Sequence, residues 1–285
     1  MLKELRITDK GIEEVNKVQI AIERLRYFEP PEGYYLAFSG GKDSVVIYDL
    51  AVKAGVQFDA HYNITTADPP ELVKFIKQEY PDVHRDRPKV NMWQLILQYK
   101  GPPTRLMRFC CKHLKERGGE GRVCVTGVRW AESSRRKNTR GMTEFMGGKT
   151  LKDKIIFNDN DEARRMVEQC VQKGKFVLNP IIDWEDDEVW EYIRQNNLKY
   201  CSLYDEGFKR LGCIMCPMGG TKNMEKGAKR WPRFYRLYLK TFEKVIDIRQ
   251  KEGRLQENWQ TAEDLMHWWI VNPPKKDNDQ ETIIK

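Results

Sequence analysis

The chain has 285 residues, which is enough for one large domain, or a domain with a sizeable addition, and enough to bury a core. Eleven Phe, twelve Tyr and eight Trp exclude an intrinsically disordered chain, because disordered chains are poor in aromatic residues. Fifty Lys and Arg against 42 Asp and Glu give a net charge of +8, which favours an anionic partner such as a nucleotide or a nucleic acid. No apolar run reaches the ~18 residues of a membrane-spanning helix, and no apolar signal segment opens the sequence, so we expect a cytoplasmic protein with no membrane partner.

The pattern of apolar residues predicts alternating strands and helices over the first two thirds of the chain. An N-terminal helix is expected within residues 1–32, where Pro30 and Pro31 end it. Short apolar runs predict strands at residues 34–38, 56–63, 122–128 and 176–179, with a further short strand near 82–84. Helical spacing and capping residues predict helices at about 44–54, after an N-cap at Asp68, at 92–99 and at 184–193, the last capped by Asp183.

Strands that alternate with helices indicate an α/β fold, in which helices cover both faces of a parallel sheet. Residues 130–175 are charged and contain Gly, and we interpret them as a mobile excursion at the edge of the sheet. The C-terminal third lacks strand patterns; helices are expected at 233–249 and 261–270, and a polar tail begins at Pro273. The expected domains are an N-terminal helix (1–32), a central domain (33–217) and a helical C-terminal region (218–285).

Residues 39–44 read Ser-Gly-Gly-Lys-Asp-Ser and lie between a predicted strand and a predicted helix. Gly40 and Gly41 permit positive φ and let backbone N–H groups point into one concavity, to which the start of the helix adds its positive end. The segment is therefore predicted to cradle a pyrophosphate, the alternative being an ordinary Gly-Gly turn. It is not a Walker A loop, because Leu36 stands where that motif has Gly and Asp43 where it has Ser or Thr.

Arginines follow the predicted strand at residues 122–128. Arg129 stands at the end of this strand, where open α/β sheets bind ligands. Arg135 and Arg136 follow within a turn or loop, and the guanidinium fork suits the oxygens of sulfate and phosphate. These arginines are candidate anion ligands, with Glu132 able to orient one of them; the alternative is a solvated basic loop.

Seven Cys residues are present, an odd number at irregular spacing. In a reducing compartment, clustered Cys residues favour a metal site or catalysis over disulfides. The adjacent pair Cys110 and Cys111, and the pair Cys213 and Cys216 in a C-x-x-C spacing, would together supply four thiolates for Zn²⁺ or a [4Fe–4S] cluster. Spacing alone does not choose between the two, and two unrelated pairs of free Cys are the alternative. The other three, Cys124, Cys170 and Cys201, are expected to be structural.

Four segments resemble a known family. The loop at residues 39–44 resembles the PP-loop of the ATP pyrophosphatases, also called adenine nucleotide alpha-hydrolase-like proteins. Residues 127–136, 179–193 and 203–217 resemble the G-x-R-x-x-E-S-x-x-R, P-x-x-D-W-x-x-x-x-V-W-x-Y-I and L-Y-x-x-G-(Y/F)-x-R-x-G-C-x-x-C segments of one branch, the phosphoadenosine phosphosulfate (PAPS) and adenosine phosphosulfate (APS) reductases. The agreement in order and spacing covers about residues 34–217.

The resemblance implies a Rossmann-like parallel sheet with a helical C-terminal extension, and a site for an adenine nucleotide (PAPS, APS or ATP) at the carboxyl edge of the sheet. Lys42 and Arg129 would be catalytic. Asp43 would cap its helix or help hold Mg²⁺ with ATP. The nucleotide-binding residues would be Ser39, Gly40, Gly41, Lys42, Asp43, Ser44, Asn63, Thr65, Thr66, Arg129, Arg135 and Arg136.

The same resemblance implies that Cys110, Cys111, Cys213 and Cys216 hold a [4Fe–4S] cluster, with zinc as the alternative. Arg108 and Lys112 would help to neutralise its charge. One departure concerns the reductases' nucleophilic Cys, which lies in a C-terminal Glu-Cys-Gly-(Leu/Ile)-His segment and whose product thioredoxin resolves. No Cys follows Cys216 in this sequence.

Three functions therefore stay open. The first is a sulfonucleotide reductase with a thioredoxin-like reductant. The second is an ATP-dependent sulfurtransferase that takes sulfur from a donor to nucleic acid, as in DNA phosphorothioation, or to a small acceptor. The third is a non-catalytic nucleotide-binding subunit with structural zinc. The basic and aromatic segment 229–240 would contact nucleic acid under the second function; otherwise it is an amphipathic helix packed by Phe234, Leu237 and Tyr238.

Overall fold

The computed structural model describes residues 2–8, 11–146, 156–157 and 175–271. Contacts divide the chain into two compact units, each assembled from separate stretches. The sheet unit comprises Met1–Tyr62, Val73–Asp86 and Gly118–Ser202. The cysteine unit comprises Asn63–Leu72, Arg87–Arg117 and Leu203–Lys285. The contiguous domains with boundaries at residues 33 and 218 stay a prediction.

The described residues form strands and helices in the alternation that the sequence predicts. The strands are β1 (Lys3–Thr8), β2 (Gly11–Asn16), β3 (Tyr34–Ala37), β4 (Phe58–Asn63), β5 (His84–Asp86), β6 (Val123–Val125), β7 (Thr143–Met146), β8 (Ile156–Phe157) and β9 (Lys175–Leu178). The helices are α1 (Lys17–Tyr27), α2 (Lys42–Ala54), α3 (Pro70–Glu79), α4 (Met92–Gln98), α5 (Ser134–Thr139), α6 (Asp186–Gln195), α7 (Thr221–Arg230), α8 (Pro232–Lys251) and α9 (Ala262–Val271). The predicted strands and helices are confirmed with ends shifted by a few residues, apart from the three corrections below.

One mostly parallel sheet forms the core of the sheet unit. Its strand order is β5-β4-β3-β6-β9-β7-β8, and β3 pairs in parallel with β4 and β6, as β6 does with β9. Leu36, Val125 and Leu178 lie side by side on β3, β6 and β9 and are fully buried, as the central strands of a parallel sheet require. Ile47 and Leu50 of α2 are also fully buried. The α/β fold with a parallel sheet and flanking helices is confirmed.

The predicted N-terminal helix is wrong for its first half. β1 and β2 pair antiparallel from Lys3 opposite Asn16 to Thr8 opposite Gly11, and the helix α1 begins only at Lys17. The Asn16 side chain accepts hydrogen bonds from the N–H groups of Val18 and Gln19, which caps the helix and fixes its start. The apolar spacing that predicts a longer helix runs across this cap, so the periodicity alone does not show the boundary.

The predicted mobile excursion at residues 130–175 is partly wrong. Residues 134–139 form α5, and β7 pairs antiparallel with β9, placing Thr143 opposite Leu178. Thr143 and Glu144 are buried, because the backbone of β7 extends the sheet beyond β9. The sheet is therefore mixed at this edge. Residues 147–155 and 158–174 of the predicted excursion lie outside the described residues.

Two predicted helix caps are also wrong. Glu185 is the N-cap residue of helix α6, and its N–H donates to the Glu188 carboxylate at 2.7 Å. The Asp183 carboxylate instead accepts two hydrogen bonds from the Arg24 guanidinium, at 3.0 and 3.1 Å. The Asp68 carboxylate likewise accepts from the N–H and hydroxyl of Thr65, both at 2.7 Å. Each acidic side chain accepts hydrogen bonds from a residue outside the helix that follows it.

The C-terminal helices are confirmed in the cysteine unit. Tyr238 and Phe242 of α8 are buried, and both rings contact Trp269 of α9, with centroid separations of 4.8 and 5.5 Å. Leu237, expected to pack, is exposed. Residues 203–271 contain no strand, and no helix of the described residues is long and apolar enough to cross a membrane. The predicted polar tail from Pro273 lies outside the described residues.

Candidate functional site

The loop between β3 and α2 has the geometry of an anion cradle. Gly40 has φ of 71°, a left-handed conformation that favours Gly. The Ser39 hydroxyl accepts a hydrogen bond from the Gly41 N–H at 3.3 Å and donates one to the Ser44 hydroxyl at 3.2 Å. The Ser44 hydroxyl in turn donates to the Gly41 carbonyl at 2.8 Å. The two hydroxyls therefore hold the loop closed on itself. The first N–H groups of α2, from Lys42 onwards, lie at the positive end of the helix.

Four charged side chains of the sheet unit meet beside this loop. Lys42 Nζ donates to Asp186 Oδ1 at 2.7 Å, and Arg129 donates to the same oxygen at 2.8 Å. Arg129 Nε also donates to Asp43 Oδ1 at 2.6 Å, and its Nη1 donates to the Trp184 carbonyl at 3.1 Å. Lys42 and Arg129 are buried, so two cations stand in a poorly solvated site beside a helix N-terminus.

Asp186 is the site residue that sequence reasoning missed. It stands in a run of acidic residues at the start of α6, and nothing in the linear pattern separates it from its neighbours. The available signal is positional: the first residue of a helix that follows β9 lies at the carboxyl edge of the sheet, where such folds bind ligands. Burial alone would raise the pKa of Asp186, but the hydrogen bonds from Lys42 and Arg129 bring it below its ordinary value.

Gly127 allows the strand end and the loop helix to approach. A Cβ at this position would lie 2.9 Å from the Asp43 Cβ and 3.1 Å from the Asp43 carbonyl carbon. Only Gly fits without a shift of the backbone. Arg129 lies two residues after Gly127 in the chain. The close approach of Gly127 to Asp43 therefore brings the Arg129 guanidinium within hydrogen-bond distance of the Asp43 carboxylate.

Of the remaining predicted anion ligands, Arg136 is held by a neighbour. It forms an ion pair with Glu132 one helical turn before it, and Glu132 also accepts a hydrogen bond from the Arg129 N–H at 3.2 Å. Glu132 thus contacts the side chain of Arg136 and the backbone of Arg129, and its predicted role in orienting an arginine stays a prediction. Arg135 lies in α5, and its predicted contact with an anion stays a prediction.

The four predicted thiolate ligands line a single pocket of the cysteine unit. Cys110, Cys111, Cys213 and Cys216 surround a space of about 360 Å³, including its open mouth. Its apolar walls are formed by Met92, Pro103, Leu114, Met215, Tyr238 and Trp269. The C-x-x-C turn closes through the Cys216 N–H, which donates to the Cys213 carbonyl at 3.2 Å, with Met215 at φ of 57°.

Cations lie against these thiols. The Cys110 thiol shares a hydrogen bond with Cys111 that lowers the pKa of Cys111 to about 5, against the effect of burial, and Arg108 at 3.5 Å from the Cys111 Sγ lowers it further. Burial raises the pKa of Cys213 to about 11. The Cys213 and Cys216 sulfurs raise the pKa of Lys115. Arg108 was predicted to neutralise this site; Lys115 was missed.

Two metal groups take four thiolates, and they make different demands on the geometry of the sulfurs. In a zinc site built from four cysteines, all four sulfurs lie about 2.3 Å from one metal. No three His, Cys, Asp or Glu side chains of the described residues converge closely enough to hold one metal ion. A [4Fe–4S] cluster makes a different demand, since each thiolate binds its own iron and the four sulfurs stand around the cluster. Thiolates are the donors that both groups use, and the four thiols line one pocket.

Three residues predicted to contact the nucleoside belong to the cysteine unit. Asn63 donates to the carbonyls of Lys115 and Arg117, at 3.3 and 3.1 Å. The Thr65 hydroxyl accepts from the Cys213 thiol at 3.3 Å, and the Thr66 hydroxyl accepts from the N–H at the start of α4 at 2.9 Å. Asn63 and Thr65 therefore support the segments that carry the cysteines. Among the other Cys residues, Cys124 and Cys201 are buried, as expected, and Cys170 lies outside the described residues.

The glycine loop, the buried cations and the parallel sheet define a PP-loop protein. The family model "Phosphoadenosine phosphosulfate reductase domain" matches residues 33–219. The chain belongs to this family.

Curated relatives are similar at low identity. The APS reductase of Oceanobacillus iheyensis is 27% identical over 68% of this chain and 75% of its own length. The APS reductase 2 of Bacillus subtilis is 25% identical over 79% of this chain and 87% of its own. Two uncharacterised proteins of Methanocaldococcus jannaschii are 26% and 28% identical, and the chain spans about half the length of these relatives (43% and 56%). Among solved structures, the PAPS reductase of Candida auris in its phosphate complex is 17% identical with a TM-score of 0.47, over 69% of this chain and 89% of that one.

Proposed function

We propose that this chain is an enzyme that binds an adenine nucleotide at the loop of residues 39–44 and acts on its sulfate or phosphate group. The observation that carries the proposal is the buried pair Lys42 and Arg129 beside the start of α2. Backbone N–H groups and two buried cations are the donors that phosphate and sulfate oxygens require. The curated relatives named as APS reductases support the choice of an adenylyl sulfate as the nucleotide.

Each charged group has a separate task in the proposed reaction. The N–H groups of α2 hold phosphate oxygens, and the ammonium of Lys42 neutralises the negative charge that develops when the bond to the leaving group breaks. The fork of Arg129 binds the sulfate or the second phosphate through two donors. Asp43, hydrogen-bonded to Arg129 Nε, fixes the plane of that fork. Arg135 and Arg136 would extend the anion site.

We further propose that Cys110, Cys111, Cys213 and Cys216 hold a [4Fe–4S] cluster, zinc being the alternative. Such a cluster supplies electron transfer or a place for sulfur when it is bound. Arg108 and Lys115 would offset the negative charge of four thiolates, as their positions against Cys111 and Cys213 support. Thr65 would orient Cys213. Iron, sulfide and zinc quantitation after anaerobic purification tests this: about four irons and four sulfides per chain support a cluster, and one zinc contradicts it.

Substitution of Lys42 tests the phosphate site. Lys42→Ala removes one of the two buried cations, and we expect turnover to fall by a factor on the order of 10²–10³. Lys53→Ala is the matched control, since Lys53 lies on the same helix and its ammonium contacts Asn196 and Tyr192 instead. Gly41→Val, which narrows the cradle, is expected to have the same effect as Lys42→Ala. Full activity in Lys42→Ala with a folded chain would reject the assignment.

A second function, ATP-dependent sulfur transfer, is favoured by one observation. Residues 217–285 contain no Cys, so this stretch supplies no thiol like the one through which the reductases attack sulfur. Sulfur transfer would require ATP with Mg²⁺ on its phosphates, a sulfur donor and an acceptor such as nucleic acid. Its products from ATP would be AMP and pyrophosphate. Sulfite release from APS or PAPS with a thioredoxin-like reductant supports reduction, whereas pyrophosphate release from ATP supports transfer.

A further inference from the structure

The two buried cations of the loop site share one acceptor. Lys42 Nζ and Arg129 both donate to Asp186 Oδ1, at 2.7 and 2.8 Å. A single oxygen between two cations is the arrangement that an oxygen of a bound phosphoryl or sulfuryl group would adopt.

The Asp186 side chain is much more exposed to solvent than those of Lys42 and Arg129, which it binds. The side chains of Lys42 and Arg129 are 6% and 2% exposed, whereas that of Asp186 is 63% exposed. Asp186 is therefore the solvent-facing member of the cluster. An anion that reaches both cations from the solvent meets the Asp186 carboxylate first, and two like charges do not share the site without a large energetic penalty.

We propose that Asp186 is a displaceable internal anion that sets the specificity of the loop site. Without nucleotide, its carboxylate occupies the place of a ligand oxygen on Lys42 and Arg129. A ligand gains from displacing it only if the ligand carries more negative charge than a carboxylate, so the site rejects simple monoanions. This inference rests on the proposed function, because it concerns the same anion site.

Asp43, the second carboxylate of the cluster, is held in place. Its backbone contacts Gly127, and its side chain is 24% exposed on the first turn of α2. Asp186 begins α6, and its exposed side chain can rotate into water while Glu185 and Glu188 keep the helix capped. The movable group is therefore Asp186.

The test is the affinity for inorganic pyrophosphate, measured by calorimetry with the purified full chain. Asp186→Asn keeps the shape of the side chain and removes the competing charge, so pyrophosphate binding should tighten by a factor on the order of ten. Asp187→Asn removes the same charge one residue later on the same helix turn and should change the affinity little. Nitrate, a monoanion, should compete with pyrophosphate in Asp186→Asn and not in the wild type. Asp186→Ser provides a second variant if Asp186→Asn does not fold.

The outcomes separate this inference from the proposed function. Tighter binding in Asp186→Asn alone supports the inference, because the loss of a merely structural contact does not increase affinity. Unchanged or weaker binding overturns it, and weaker binding would make Asp186 a positioning residue for the two cations. If Asp187→Asn tightens pyrophosphate binding as much as Asp186→Asn does, the inference is overturned, because the loss of one nearby negative charge then explains the higher affinity. If the wild type binds neither pyrophosphate nor ATP, the proposed function fails, and the inference fails with it.

Discussion

Replacement of Gly127 by Ala tests the close approach that builds the loop site. The added Cβ would lie 2.9 Å from the Asp43 Cβ and 3.1 Å from its carbonyl atoms, and none of these atoms belongs to a flexible side-chain end. Overpacking of this kind destabilises by about 1–3 kcal/mol. The entropy that Ala removes from the unfolded chain returns about 0.4–1 kcal/mol. We expect a net loss of about 1–2 kcal/mol of unfolding free energy, because the φ of Gly127 lies outside the left-handed region and adds no strain.

This loss should lower the melting temperature by about 3–6 °C, at roughly 3 °C per kcal/mol for a chain of this size. Pyrophosphate affinity should fall as well, since a shift of the strand end moves Arg129 away from Asp43. Gly101→Ala is the control: the nearest atoms to its Cβ lie at 3.9 Å, so this variant should keep only the entropic gain of about 0.4–1 kcal/mol and lose no stability. Melting and pyrophosphate titration of both variants decide the matter. A Gly127→Ala variant that melts and binds like the wild type would refute the steric argument.

Two further predictions concern ion pairs and hydrogen bonds of the sheet unit. Hydrogen bonds from Arg122 lower the pKa of Asp59 to about 2; burial opposes this shift and a hydrogen bond from His61 adds to it. The Asp59 carboxylate therefore stabilises the fold above about pH 4, and this stabilisation is lost as the pH falls towards 2. Because the Asp59 side chain is 36% exposed, we expect Asp59→Asn to lower the unfolding free energy in urea at pH 7 by only about 1 kcal/mol. This difference in unfolding free energy from the wild type should shrink below about pH 4, and a constant difference would contradict the prediction. The buried Tyr192 hydroxyl donates to the Asp49 carboxylate at 2.6 Å, so Tyr192→Phe should lose about 1–2 kcal/mol in the same assay, and an unchanged midpoint would argue against this hydrogen bond.

The phosphate loop could be predicted from the sequence because its determinants are local. A strand, two glycines and a helix start within residues 34–42 fix the backbone, and Gly40 adopts the left-handed φ that the pattern requires. Arg129 could be placed because it follows a strand and therefore lies at the carboxyl edge of the sheet. Its partner Asp186 is more than fifty residues away in the chain, and only the tertiary fold brings the two together.

The cation beside the thiols shows a different limit. The sequence suggested Lys112, which is adjacent to the cysteine pair, but among the described residues the lysine that lines the pocket is Lys115. Residues Cys111–Lys115 form one turn of π-helix, closed by the Glu116 N–H on the Cys111 carbonyl at 2.9 Å. The wider turn places Lys115 against the pocket. An α-helical reading of the pattern does not anticipate this register.

The cysteine pocket and the loop site should be separable by mutation. Lys42 and Arg129 are positioned by groups of the sheet unit itself, and the Cys213 thiol by Thr65 of the cysteine unit. Cys213→Ser should therefore reduce the iron content from about four per chain to a small fraction of that, while pyrophosphate affinity stays near the wild-type value. Cys201→Ser, at a buried position of the sheet unit, is the control that should keep its iron. Full iron in Cys213→Ser would remove this residue from the ligand set. Loss of both iron and pyrophosphate binding in a folded variant would show that the cluster supports the nucleotide site.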